Sequence, residues 1–75
     1  METHQIRVCN ERDELAYRLD RLCSFVNTST FDGLSRNERD LLHRQRAVMQ
    51  QYLSLLNERI GLWTTNIARL KDTGN

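Results

Sequence analysis

The sequence predicts an all-α fold: an antiparallel two-helix hairpin with a short first helix and a long second helix, assembling as a helical-bundle homo-oligomer. Three observations predict it. Apolar residues recur with helical 3–4 spacing in both halves of the chain, a polar segment around Gly33 separates the halves, and proline is absent. With 75 residues, the chain is expected to form a single domain, residues 1–75.

The first helix is predicted from about residue 3 to residue 27. Thr3 suits the N-cap position, and polar side chains cover much of the surface. One stripe is apolar and is expected to be buried; it comprises Val8, Leu15, Leu19, Leu22 and Val26.

The loop is predicted over residues 28–34, where Ser, Thr, Asp and Gly favour turns and caps. Two apolar residues, Phe31 and Leu34, interrupt this polar stretch. We expect them to fold back over the end of the helix pair and close it.

The second helix is predicted from about residue 35 to residue 71, opened by a capping box between Ser35 and Glu38. Gly61 lies inside it, at a cost of about 1 kcal/mol relative to alanine. Two apolar columns with seven-residue spacing run along it. The inner apolar column is Leu42, Met49, Leu56, Trp63 and Leu70, and the outer apolar column is Leu41, Val48, Leu55 and Leu62.

The unequal lengths of the two helices predict self-association. Aligned outward from the loop, the first helix ends near residue 60 of the second, so large apolar residues are left without a partner in their own chain. Such a patch is unusual on a monomer, and a dimer or larger bundle would cover it. The predicted interface residues are Ile60, Leu62, Trp63, Ile67 and Leu70, with Trp63 as the anchor.

Composition narrows the function classes. The net charge is only +1, and no window approaches the ~20 apolar residues of a membrane span, so neither nucleic acid nor membrane is an expected partner. No catalytic motif occurs, and the chain is too short to enclose a usual pocket of several hundred Å³. Cys9 and Cys23 are expected to pack as small apolar residues. We therefore expect no enzyme activity, no metal and no cofactor.

A basic stripe near the start of the second helix is the candidate ligand site. Arg36, Arg39, His43 and Arg46 are spaced 3, 4 and 3 residues apart and share one helix face. Arginine forks and the amides of a helix start suit phosphates, nucleotides or an acidic protein surface. The alternative is a solvated face neutralised by Glu38, Asp40 and acids of the first helix.

Scattered positions along most of the chain resemble a family of very small helical proteins of tailed bacteriophages and prophages. The positions are His4-Gln5-x-Arg7-Val8-x-x-Glu11-x-x-Glu14-Leu15, then Leu19, Leu22, Phe25-Val26, Phe31, Leu34, Gln45, Met49, Tyr52 and Asn57-Glu58-Arg59-Ile60. The resemblance implies a phage accessory protein in the host bacterial cytoplasm that binds and blocks a host defence or regulatory component.

Two targets stay open on this interpretation: a host protein, or an anionic nucleotide held at the basic stripe. A nucleic-acid-associated phage regulator and a structural assembly factor are the alternative functions. The resemblance supplies no binding residue.

Overall fold

The computed structural model describes the backbone of residues 3–73 and the side chains of residues 3–63. Within this part, the chain forms α1 (Thr3–Phe25), α2 (Ser29–Asp32) and α3 (Arg36–Thr73), and no strand. The predicted all-α class is confirmed. None of the described helices is both long and apolar enough to cross a membrane.

α1 and α3 pack along each other, and the contacting residues run in opposite directions along the two helices. His4, at the start of α1, contacts Trp63 late in α3. Arg12, farther along α1, donates a hydrogen bond from Nη1 to Oδ1 of Asn57, which precedes Trp63 in α3, over 3.1 Å. Two residues of the predicted first-helix stripe, Val8 and Leu19, are buried. On α3, Leu56 of the inner apolar column has no exposed surface.

The pairing register differs from the prediction. The ring of His4 lies edge to face with the indole of Trp63, 5.8 Å between centroids, so α1 reaches past residue 60 of α3. Ten residues, 26–35, separate α1 from α3, and they fold into a turn that places later residues of α3 beside α1. The expectation that Trp63 has no partner in its own chain is therefore wrong.

The five predicted interface residues thus divide into groups. Ile60 and Trp63 are half-buried within the chain, and Leu62 is 64% exposed. The side chains of Ile67 and Leu70 lie outside the described residues. Contact between copies through these residues stays a prediction.

The turn between the long helices contains a helix of its own. Thr28 caps α2, because its Oγ1 accepts a hydrogen bond from the amide of Phe31 over 3.2 Å. Phe31 is 5% exposed and meets Phe25 edge to face at 6.0 Å, and Leu34 is half-buried. The prediction that Phe31 closes the end of the helix pair is confirmed, since its ring lies between Phe25 of α1 and His43 of α3.

α3 begins with one half of the predicted capping box. The amide of Glu38 donates to Oγ of Ser35 over 3.2 Å. Farther along, a Cβ added to Gly61 would meet no atom within 4 Å, so close helix packing within the chain does not require glycine there. Cys9 and Cys23 are free thiols and half-buried, as their expected packing role requires.

Candidate functional site: the basic stripe of α3

The four residues of the basic stripe lie in the first three turns of α3, beside the turn that carries α2. Arg36 and His43 are exposed, whereas Arg39 and Arg46 are half-buried. The helical spacing that predicted one shared face is present, because α3 is continuous from Arg36 onward.

Nearby acids do not neutralise the stripe through ion pairs. Among the residues with described side chains, the two ion pairs join Arg12 to Asp13 at 2.6 Å and Arg18 to Glu14 at 2.8 Å, both within α1. Residues 36–46 carry four arginines against two acids. The start of α3 therefore keeps a local positive charge.

Arg39 is half-buried, and one of its hydrogen-bond donors is enclosed. Its Nε is enclosed by protein and has no hydrogen-bond acceptor among the described residues. An enclosed donor without an acceptor costs about 1–3 kcal/mol, and more when the group is charged. Because Nε is closed off from solvent, an anion at this face would reach it only after the Arg39 side chain turned outward.

Aromatic rings border the stripe. The imidazole of His43 meets the ring of Phe31 at 5.3 Å between centroids and an interplanar angle of 79°. Phe31 is in turn fixed by Phe25, so the turn holds the His43 ring from one side. The sequence predicted that His43 lies on this face but did not predict its contact with Phe31. The one sequence feature that pointed to such a contact was an apolar residue, Phe31, within a polar loop.

The arrangement suits binding of an anion. Guanidinium groups donate paired hydrogen bonds to phosphate oxygens, and a neighbouring imidazole adds a further donor. Within the described part of the chain, no group of three or more His, Cys, Asp or Glu residues is placed to hold a metal ion.

A concave, mainly apolar surface lies farther along α3. This open groove has a volume of about 620 Å³ and includes no residue of the basic stripe. Its lining residues are Tyr52, Leu55, Leu56, Glu58, Arg59, Gly61 and Leu62. At one edge, the hydroxyl of Tyr52 donates a hydrogen bond to the carboxylate of Glu11, which raises the pKa of Tyr52 above its usual 10.0.

Comparison with known proteins identifies a family. No curated protein and no solved structure matches the chain. The family model described as Sequestin matches residues 2–62, which include α1, α2 and most of α3, with the whole basic stripe. The match covers well over half of the 75 residues, and the chain therefore belongs to the Sequestin family.

Proposed function

We propose that this protein is a non-enzymatic binder that sequesters a phosphate-bearing nucleotide, or a closely related anionic small molecule, at the basic stripe of α3. It acts stoichiometrically, lowering the free concentration of its ligand without changing it chemically. The observation that carries the proposal is the excess of positive charge at the start of α3, where residues 36–46 carry four arginines against two acids.

Two further features support an anion as the ligand. Arg36, Arg39 and Arg46 take part in neither of the ion pairs formed among the described side chains, so their charge is available to a ligand. His43 lies beside them with its ring held by Phe31. The family name, Sequestin, agrees with binding and withholding a partner.

The resemblance to small phage proteins supports a proposal for the biological setting. We propose that the protein is a phage accessory factor, made in the cytoplasm of a host bacterium, that withholds a host signalling or regulatory nucleotide. A protein made in quantity can suppress a scarce ligand by mass action, without any catalytic step.

Isothermal titration calorimetry with linear and cyclic nucleotides tests the proposal. One class should bind with a defined stoichiometry, and Arg39→Ala should weaken that binding at least tenfold. Arg39→Lys should recover only part of the affinity, because lysine lacks the guanidinium Nε and the planar fork. The matched control is Arg18→Ala, which removes an exposed arginine of α1 paired with Glu14 and should leave binding unchanged.

The fate of the ligand separates sequestration from catalysis. After incubation and denaturation of the protein, the nucleotide should be recovered intact, as chromatography can show. A chemically altered nucleotide would overturn the non-enzymatic part of the proposal. A nucleotide affinity that is the same in Arg39→Ala as in the wild-type protein would overturn the assignment of the site to the basic stripe.

The other partner classes give different results. A nucleic-acid partner would bind DNA or RNA with an affinity that falls steeply with salt. If the target is a host protein, a pull-down from host lysate should recover it with the wild-type protein and with Arg39→Ala alike, and added nucleotides should not change the amount recovered. Either result would count against the proposal.

A further inference from the structure

The side chain of Arg39 is held in a position that leaves one of its donors unused. Nε is closed off from solvent, and among the buried and half-buried side chains of residues 3–63 it is the one enclosed nitrogen or oxygen without a hydrogen-bond partner. The backbone of the residue is fixed, because its amide donates to the carbonyl of Ser35 over 3.0 Å. The unused donor therefore results from the conformation of the side chain alone.

The neighbouring acids do not satisfy Nε. Glu38 and Asp40 flank Arg39 in the chain, but both are exposed, and neither accepts a hydrogen bond from this nitrogen. Side chains of an α-helix lean toward its start, which for Arg39 is the direction of Ser35 and of the turn that carries α2. The side chain thus lies back toward the turn rather than outward from the stripe.

We propose that Arg39 is a two-position switch within the nucleotide site. In the free protein its side chain is folded inward with Nε unsatisfied. A bound oxyanion draws it outward, so that Nε and one terminal NH2 group donate side by side to two oxygens of the phosphate. The switch rests on the proposed function, because an anionic ligand at the basic stripe supplies both acceptors.

The unused donor makes the outward turn favourable once an anion is present. An enclosed N–H of a charged group without an acceptor destabilises the free protein. Water would satisfy Nε in the outward position, so the inward position persists because packing of the aliphatic part of the side chain offsets that penalty. The two positions therefore differ little in free energy, and a pair of charge-assisted hydrogen bonds is enough to reverse their order.

Arg39→Lys tests the inward position. The fourth methylene of lysine takes the place of Nε, and the charge follows one atom later, so the variant removes the unused donor and keeps the positive charge. Its melting temperature should be at least about 4 °C higher than that of the wild-type protein. An arginine that served packing alone would give the opposite result, a loss of stability in Arg39→Lys.

Arg46→Lys is the matched control for this measurement. Arg46 is also a half-buried member of the basic stripe, but no enclosed nitrogen of its side chain lacks a partner. Arginine and lysine have nearly equal helix propensities, so the melting temperature of this variant should stay within about 2 °C of the wild-type value.

Heteronuclear NMR of the arginine Nε–H groups follows the outward turn. In the free protein, the Nε–H signal that disappears in Arg39→Lys should exchange with solvent at least tenfold more slowly than that of Arg46, because it is enclosed. Inorganic pyrophosphate is the probe ligand. As it binds, the Arg39 signal should move downfield, since the proton gains an acceptor, and should saturate together with the signals of Arg36 and Arg46.

Two results would overturn the switch and leave the nucleotide site in place. One is an Arg39→Lys variant no more stable than the wild-type protein. The other is a pyrophosphate titration that moves the signals of Arg36 and Arg46 while the Arg39 signal keeps its position and its slow exchange. If pyrophosphate moves none of the three signals, the switch is overturned, and the result also counts against phosphate as the group that the stripe binds.

Discussion

His4 and Trp63 meet edge to face at 5.8 Å between ring centroids, one near the start of α1 and the other far along α3. At the opposite end of the helix pair, Phe31 meets Phe25 and His43 in the same edge-to-face manner. Ring contacts therefore hold α1 against α3 at both ends, with buried aliphatic residues between them.

Removing the indole should destabilise the end of the pair that lies farthest from the turn. Trp63 is half-buried, so we expect Trp63→Ala to lower the free energy of unfolding by about 1–3 kcal/mol. His4→Ala should cost about 0.5–1.5 kcal/mol through loss of the ring contact. Urea denaturation followed by circular dichroism measures both values. An unchanged midpoint for Trp63→Ala would contradict the contact.

Phe31 should matter more than any other residue of the turn. It is 5% exposed and packs between Phe25 and His43, so Phe31→Ala should cost about 3–5 kcal/mol, a large share of the stability of so small a domain. Phe31→Leu keeps much of the volume and should cost clearly less. The neighbouring Asp32→Ala, an exposed position, serves as control in thermal denaturation.

The hydrogen bond from Tyr52 to Glu11 should make stability depend on alkaline pH. The bond to the carboxylate raises the pKa of Tyr52 in the folded state above 10.0. The stabilisation is therefore complete below the pKa of the unfolded chain and is lost as the pH rises through the higher folded-state pKa. Ultraviolet titration of a Tyr17→Phe variant, which keeps Tyr52 as its one tyrosine, measures that pKa.

Glu11→Gln in the same background identifies the cause of the shift. It replaces the charged acceptor by a neutral amide and should bring the pKa of Tyr52 down. A titration curve that does not move would assign the shift to another source.

Gly61 should be replaceable with a gain in stability. A Cβ at this position meets nothing within 4 Å, and alanine favours a helix interior over glycine by about 1 kcal/mol. Gly61→Ala should therefore raise the melting temperature by roughly 4–8 °C. Ala47→Gly, at an exposed position of the same helix, should lower it by a similar amount. A loss of stability in Gly61→Ala would indicate that an atom not seen in this structure lies close to Gly61.

Local rules account for the helices, whereas the pairing between them depends on distant contacts. Apolar spacing placed Val8, Leu19 and Leu56 in the core, and Ser35 marked the start of α3. The register was mispredicted because it depends on how residues 26–35 fold, including the helix α2, which the sequence presented only as a polar loop. That fold brings Trp63 beside His4.

The basic stripe also combines features that local rules predict with features that depend on distant contacts. Helical spacing is sufficient to place Arg36, Arg39, His43 and Arg46 on one face, because that relation is local. The enclosure of the Arg39 Nε and the contact of His43 with Phe31 depend on side chains packed from the turn, so periodicity alone does not predict them.

The aromatic contacts at both ends of the helix pair restrict which insertions and deletions the chain can accept. One residue inserted within α1 or α3 rotates everything beyond it by about 100° around the helix, which would pull His4 from Trp63 or His43 from Phe31. Seven residues added to both arms together would preserve every face. Insertions and deletions compatible with this architecture are therefore expected in paired steps of two helical turns, with substitution as the main route of divergence between them.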